Sequence, residues 1–392
     1  MKRKYFIHVG HGKTGTTAIQ SSLALASNQL KELGVLYPIE EEARQKASLL
    51  EITSGNCDPK TGHDLRQTIK QLEHKLHKNT RYKKVILSSE NLFFFLDDFI
   101  DHYEEISDLI EVEIILAVRE IEEMLSSEYQ QLVKRHGEYR SFNTFVKVIR
   151  QYISSHHKLA AELIRKLDTK KIKINLINYS YERNLIAQKI FKSIGIIDVY
   201  PKKSVHDMKI NRSLSKRELE IIIIINTLFH SYIPEIGRYI TDKLIKQYPQ
   251  EKVHQCALSQ DNSKYVFQIN QPFLIIINRL LPDGQKLQTN ASKNLNSCQD
   301  IRPENSDYIS DEIVNLITKI TYDTIIDSKK NFETLSNKAI DQIILASKNN
   351  KLPIAFKVEL LKLAIKYRSD RPQLVGLLNE ENNKTFKEKN NY

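Results

Sequence analysis

Three of the chain's eleven glycines, Gly10, Gly12 and Gly15, fall within six residues, after the short apolar stretch YFIHV and before a run with apolar positions at helical spacing. This cluster constrains the fold more than any other feature. A strand that ends in glycines and opens into a helix leaves backbone N–H groups and the positive end of the helix dipole aimed at one point, which is an anion site. Elsewhere breakers are scarce: 11 glycines and 10 prolines in 392 residues lie below the average usage of roughly 12%. Long helices with few interruptions are therefore expected, and clustered glycines mark a backbone requirement.

Around this unit the pattern repeats. Residues 5–9 read as a buried strand and residues 16–33 as a helix with Gly34 as its C-cap. Further strands are expected at 84–88 (KVILS), 113–118 (EIILAV) and 171–177 (KIKINLI), among helical patterns at 62–78, 119–136, 142–167 and 182–193. This alternation argues an α/β fold, a doubly wound and mainly parallel sheet. In such sheets ligands bind outside the carboxyl ends of the strands; Gly10, Ser88, Ser89, Glu90 and Arg119 all sit at such ends. Past residue 205 the strand signals fade. Helices are expected at 214–231 and 234–248, a mixed polar region at 254–310 with a loop at 282–308, and several helices over 311–379. The expected division is an α/β domain over 1–235, a mostly helical C-terminal extension over 236–380, and a disordered tail at 381–392.

Composition narrows the class. The longest uninterrupted apolar runs, such as residues 221–225 and 273–277, are five residues long, where a membrane span needs roughly 20. The N-terminal MKRKYFIHVGHGKTG has too short an apolar stretch for a signal peptide, so a cytoplasmic protein is expected. Cys57, Cys256 and Cys298 lie far apart with no C-x-x-C spacing, consistent with reduced bystanders. With 59 basic and 48 acidic residues the net charge is +11, which favours anionic ligands without choosing among nucleotides, sulfated molecules and nucleic acid. His74 and His77, three apart, lack the carboxylate or cysteine partners of a metal site, and no metal is expected.

The loop itself is GHGKTGTT, residues 10–17. Gly10 and Gly15 have the G-x-x-x-x-G spacing of a nucleoside triphosphate P-loop, but Thr16 follows Gly15 where that motif needs lysine. If Gly12, Lys13 and Thr14 are taken as its G-K-T, the first glycine falls on Ile7, inside the strand. Neither register satisfies the triphosphatase pattern.

Lys13-Thr14-Gly15-Thr16-Thr17, after a strand and opening a helix that continues with Gln20, resembles the 5′-phosphosulfate loop of sulfotransferases that use 3′-phosphoadenosine 5′-phosphosulfate (PAPS). Gly12 stands where that family usually has proline. Residues 113–137, EIILAVREIEEMLSSEYQQLVKRHG, are similar to the family's 3′-phosphate segment: the strand ends in Arg119 and Ser127 follows eight positions later, with Glu120 and Ile121 where the family has proline. A guanidinium at a strand end and a hydroxyl two turns along the next helix suit one phosphate. Weaker echoes are KINLINYSYERNLIAQKIFKSIGI and residues 211–215 (NRSLS). The likeness covers roughly residues 4–230 and points to the bacterial, cytosolic type with a P-loop fold.

The resemblance implies sulfuryl transfer from PAPS to a hydroxyl or amine of a carbohydrate or small-molecule acceptor. Lys13 would neutralise charge on the departing oxygen, and Gly12, Thr14, Gly15, Thr16 and Thr17 would cradle the 5′-phosphate. Arg119 and Ser127 would take the 3′-phosphate. Glu90, leaving a strand before an apolar helix, is the candidate base, with His11 and His63 as alternatives and a helix-capping role for Glu90 as the plain one. Tyr129, Tyr179 and Tyr181 could stack on a sugar, and the basic stretch 202–217 could close over the nucleotide or meet an acidic acceptor, or these could be ordinary filling and a solvated linker. The expected partners are the nucleotide sulfate donor and the acceptor; nucleic acid is not among them, and a homo-oligomer stays open. Two other readings remain: a P-loop kinase or NTPase using ATP and Mg²⁺, and a non-catalytic anion- or nucleic-acid-binding protein.

Overall fold

Strand β1 (Arg3–Gly10) is buried from Tyr5 onward on both of its faces, so its apolar run needs covering layers above and below and a partner on each edge. It has them. With β2 (Val35–Leu36), β3 (Lys84–Ser88), β4 (Ile110–Val118) and β5 (Lys173–Asn178) it forms a five-stranded sheet in the order β2-β3-β1-β4-β5. All four pairings are parallel. The fold is α/β. A computed structural model describes residues 2–10, 12–48, 55–57, 59–201, 212–229, 235–290, 344, 347–348, 354–367 and 372–389.

The helices, in chain order, begin with α1 (Thr16–Leu25), α2 (Ser27–Glu32), α3 (Glu41–Ser48), α4 (Gly62–Leu76), α5 (Leu92–Asp101), α6 (Glu104–Ser107), α7 (Ile121–His136) and α8 (Phe142–Val148). Then come α9 (Ser155–Thr169), α10 (Tyr179–Glu182), α11 (Ile186–Ile194), α12 (Lys216–Phe229), α13 (Ile236–Gln247), α14 (Gln260–Asn278), α15 (Ile354–Tyr367) and α16 (Pro372–Lys389). Two compact units are present: residues 1–125, 146–209 and 258–295 form the first, and residues 126–145, 210–257 and 296–392 the second. The sequence-based cut at 235 falls inside a stretch of the second. Among the described residues no helix is long and apolar enough to cross a membrane.

The first unit holds the sheet. Phe6, Ile86, Ile115 and Ile177 point to one face and join Ile19, Leu23, Ile190 and Phe191 in one apolar cluster. Tyr5, Ile7, Val9, Leu87, Ile114 and Leu116 alternate with them and are equally buried. Helix α11 shows why the sequence folds this way: Ile186, Ala187, Ile190, Phe191 and Ile194 make one buried stripe, each large side chain contributing roughly 1.5–3 kcal/mol. Gly195 then ends the helix in the left-handed region, at φ 73°, with its N–H on the Lys192 and Phe191 carbonyls.

In the second unit, Arg212 and Glu218 form a buried bidentate pair with 2.8 and 2.7 Å contacts. Tyr129 is buried there against Phe142 and Phe145, its hydroxyl on the Arg140 carbonyl. It is core filling, the plainer of the two readings that the sequence left open. Burial pushes the Cys256 thiol up to about 11, leaving it inert as expected.

Several differences from the sequence reading have physical causes. The helix expected over 16–33 opens at Ala26 (φ −80°, ψ −3°), giving α1 and α2. Strand β2 has two residues, too few to carry a period. The region 254–310, read as mixed and polar, contains the 19-residue α14, capped by the Ser259 hydroxyl accepting from Asn262 N–H. Its polar residues are buried on the inward face: Asn262, Ser263 and Asn270 accompany Val266, Phe267 and Leu274, and Ser263 donates to Glu122 at 2.8 Å. Residues 381–389, read as tail, continue α16, where Glu381 is buried and paired with Lys357 and Lys384.

Candidate functional site

Because all five strands are parallel, their carboxyl ends share one edge. In register, Gly10 faces Ala117, His8 faces Ser88, and Val118 faces Asn178. The segments 12–17, 89–90, 119–123 and 179–183 therefore emerge together from the first unit.

The loop after β1 is tightly determined. A Cβ at Gly10 would collide with the Thr14 hydroxyl oxygen, and Thr14 is fully buried. Lys13 and Gly15 both adopt left-handed backbone, with φ 73° and 78°. For a lysine this conformation costs roughly 1–2 kcal/mol and needs outside support. Arg119 supplies it: its Nη1 donates to the Lys13 carbonyl at 2.9 Å. Gly15 is required twice over, since a Cβ there would lie 2.7 Å from the Tyr179 ring. Gly15 also starts α1 without a side-chain cap, and no acidic residue lies in that helix's first turn. The positive helix end is left to other partners.

One of those partners is Glu90. It lies just beyond β3, exposed, and its Oε1 accepts from the Thr16 hydroxyl. The apolar helix that follows does not enclose it; what it gains is a place beside the loop. Thr16, expected to help cradle phosphate, spends its hydroxyl on this carboxylate. Of the alternative bases, His63 is exposed at the start of α4, and His11 lies outside the described residues. His8 is buried, its Nδ1 2.8 Å from the Ser88 hydroxyl, and burial lowers its pKa to about 4.

Arg119 leaves β4 nearly buried. Besides Lys13 it reaches Glu123 Oε2 through Nε at 3.4 Å, and its guanidinium lies 5.1 Å from the Tyr179 ring centroid. His157, fully buried on α9, holds its main chain: Nε2 lies 2.9 Å from the Arg119 carbonyl, so that nitrogen carries the proton. Burial lowers the His157 pKa to about 4, keeping the ring neutral.

Three residues past β5 complete the cluster, and sequence reading did not single out two of them. Ser180 Oγ donates to Glu123 Oε2 at 2.9 Å and accepts from Glu120 N–H at 3.0 Å. Arg183 Nη2 also donates to Glu123 Oε2, with its guanidinium 5.9 Å from the Tyr179 centroid. Tyr179, for which the sequence offered sugar stacking or ordinary filling, is the surface over which both arginines lie. The available signal was position: Ser180 and Arg183 follow a strand whose end shares the edge with β1 and β4. Burial pushes the neighbouring Glu120 carboxyl up to about 7, while Gln288 N–H donates to it. Ser127 lies half-buried on α7, in a stretch of the second unit; the cluster described here belongs to the first unit alone.

Chemically, the edge presents a lysine in a strained loop, a helix N-terminus with no side-chain cap, two arginines and an accessible carboxylate. That set suits an anionic ligand bearing a transferable group. Neither a protein family nor a curated protein matches the sequence. Among solved structures the chain is similar to a sulfotransferase from Alicyclobacillus acidocaldarius, with 12% identity and a TM-score of 0.36 over 71% of this chain and 96% of that one.

Proposed function

We propose that the chain is a sulfotransferase that takes a sulfuryl group from PAPS and passes it to a hydroxyl or amine of a carbohydrate or small-molecule acceptor. The observation that carries this reading is the convergence, at one sheet edge, of Lys13 in a left-handed turn, Glu90 bonded to the first turn of α1, and Arg119 bonded to the lysine's own carbonyl. The loop motif and the arginine-ended strand are the two segments that resemble the PAPS enzymes. A cytosolic location belongs to the same proposal.

In this reading the 5′-phosphosulfate lies against the loop of Gly12, Lys13, Thr14, Gly15, Thr16 and Thr17, where backbone N–H groups and the α1 dipole meet its charge. Arg119 receives the 3′-phosphate, where a planar guanidinium suits a phosphomonoester. An acceptor oxygen attacks sulfur in line while the bond from sulfur to the bridging phosphate oxygen breaks. The electron pair leaves with that oxygen, and Lys13 neutralises it. The acceptor's proton passes to Glu90, whose exposure leaves it reachable. Lysine and arginine supply the positive charge that a kinase draws from Mg²⁺.

A second reading has one observation in its favour. A loop threonine bonded to a strand-end carboxylate, as Thr16 is to Glu90, is how a P-loop kinase would arrange a metal site. Calorimetric titration with 3′-phosphoadenosine 5′-phosphate (PAP), ADP and ATP, each with and without Mg²⁺, separates the two. Metal-independent binding with preference for PAP is expected. Preference for ATP with Mg²⁺ would transfer the chain to the kinases and make Glu90 a metal ligand.

A further inference from the structure

We propose that Arg183 is a second phosphate-binding arginine beside Arg119, and that Glu123 is a stand-in anion which the 3′-phosphate of the nucleotide displaces. This rests on the donor assignment above and adds residues to it.

Glu123 Oε2 is the common acceptor of Arg119 Nε, Ser180 Oγ and Arg183 Nη2. Two guanidiniums and a hydroxyl converging on one oxygen make a constellation suited to phosphate, which offers three such oxygens where the carboxylate offers one here. Both guanidiniums lie over the Tyr179 ring, at 5.1 and 5.9 Å, which fixes their planes without using their N–H groups.

The donors are also underused. Arg183 Nε is buried with no hydrogen-bond partner, and the Arg119 Nε contact is long, at 3.4 Å. Arg212 provides the contrast within the same molecule. Its Nε donates to the Tyr248 carbonyl at 2.8 Å, while Nη1 and Nη2 hold Glu218 at 2.8 and 2.7 Å. Its side chain is 2% exposed. That arginine serves the fold. Arg183 instead has 42% of its side chain exposed, which leaves it open to a ligand.

Charge gives the exchange its direction. A carboxylate carries one negative charge, whereas a phosphomonoester near neutral pH carries close to two. Replacing Glu123 by the 3′-phosphate between two arginines is therefore favourable, and a nucleotide without that phosphate leaves Glu123 in place.

The test is calorimetric titration of PAP and of AMP into the full chain and its Arg119→Gln, Arg183→Gln, Arg183→Lys and Glu123→Gln variants, with thermal unfolding of each as a control for folding. Arg183→Gln should weaken PAP about 10-fold and leave AMP unchanged. Arg183→Lys, which keeps the charge and loses the fork, should fall between, and it carries the test if the glutamine variant does not fold. Glu123→Gln should tighten PAP about 3- to 10-fold, again without effect on AMP. If Arg119→Gln weakens PAP while the Arg183 variants leave it unchanged, or if Glu123→Gln weakens it, this inference falls and the donor assignment stands. If the unaltered chain binds PAP no better than AMP, both fall.

Discussion

The two edges of one sheet use arginine and glutamate in opposite ways. At the amino edge, Arg3 donates through Nε to the Tyr82 carbonyl, through Nη2 to the Leu76 and Asn79 carbonyls, and through Nη1 to Glu73, at 2.9, 2.6, 2.8 and 2.5 Å. Glu73 accepts in turn from the Tyr5 hydroxyl at 2.7 Å. At the carboxyl edge, Arg119 makes one good bond, to Lys13, and one long one, and Arg183 keeps a buried donor unmet. At the amino edge one arginine is fully spent on carbonyls and a single carboxylate; at the carboxyl edge two arginines share one carboxylate oxygen.

The comparison can be broken. Lys13→Ala should carry the largest effect, lowering sulfuryl transfer about 10²- to 10³-fold while denaturant midpoints stay put; a loss of stability with no loss of rate would make Lys13 a turn residue. Arg3→Ala should do the reverse, removing about 3 kcal/mol of stability by stranding Glu73 and leaving nucleotide affinity unchanged. Equal damage to both quantities from Arg3→Ala would erase the difference between the edges. Gly15→Ala sits between, because the new methyl meets both an unfavourable φ and the Tyr179 ring. It should lower stability by about 1–2 kcal/mol and nucleotide affinity together, read by denaturation and calorimetry on the same preparation.

The smallest effect concerns Glu120. Burial raises its pKa from the ordinary 4.5 to about 7, so the folded chain holds this proton more tightly than the unfolded chain does. Its contribution to stability therefore declines as pH rises from about 4.5 to 7, and the deficit is fully present above 7. Glu120→Gln keeps an acceptor for Gln288 N–H and should raise stability at pH 8 by about 1 kcal/mol, with no change at pH 4. Urea midpoints at the two pH values check this; a gain that is the same at both would assign it to packing.

Much of the scaffold was legible because it rests on local pattern. The four long strands and the glycine cluster follow from apolar runs and breaker positions that any reading of 5–9, 84–88, 113–118 and 171–177 reveals. Helix α14 was harder, since Asn262, Ser263 and Asn270 look like loop residues until the fold buries them on one face. The loop's position was legible; its conformation was not, because Lys13 takes a left-handed turn only with an arginine 106 residues away on its carbonyl. The roles of Glu123, Ser180 and Arg183 arise where α7 and the segment after β5 meet. Nothing in the spacing from 123 to 183 announces that they meet.

The packing of Gly15 against Tyr179 also bears on the order in which the protein matures. The glycine loop is synthesised before the ring that shapes it, which arrives more than 160 residues later, and Arg119 comes between. A nascent chain that has completed β1, α1 and β3 holds the motif without its supports. Anion binding should therefore appear abruptly, once the fifth strand has docked, so that ligand capture on stalled ribosomes would report completion of the sheet.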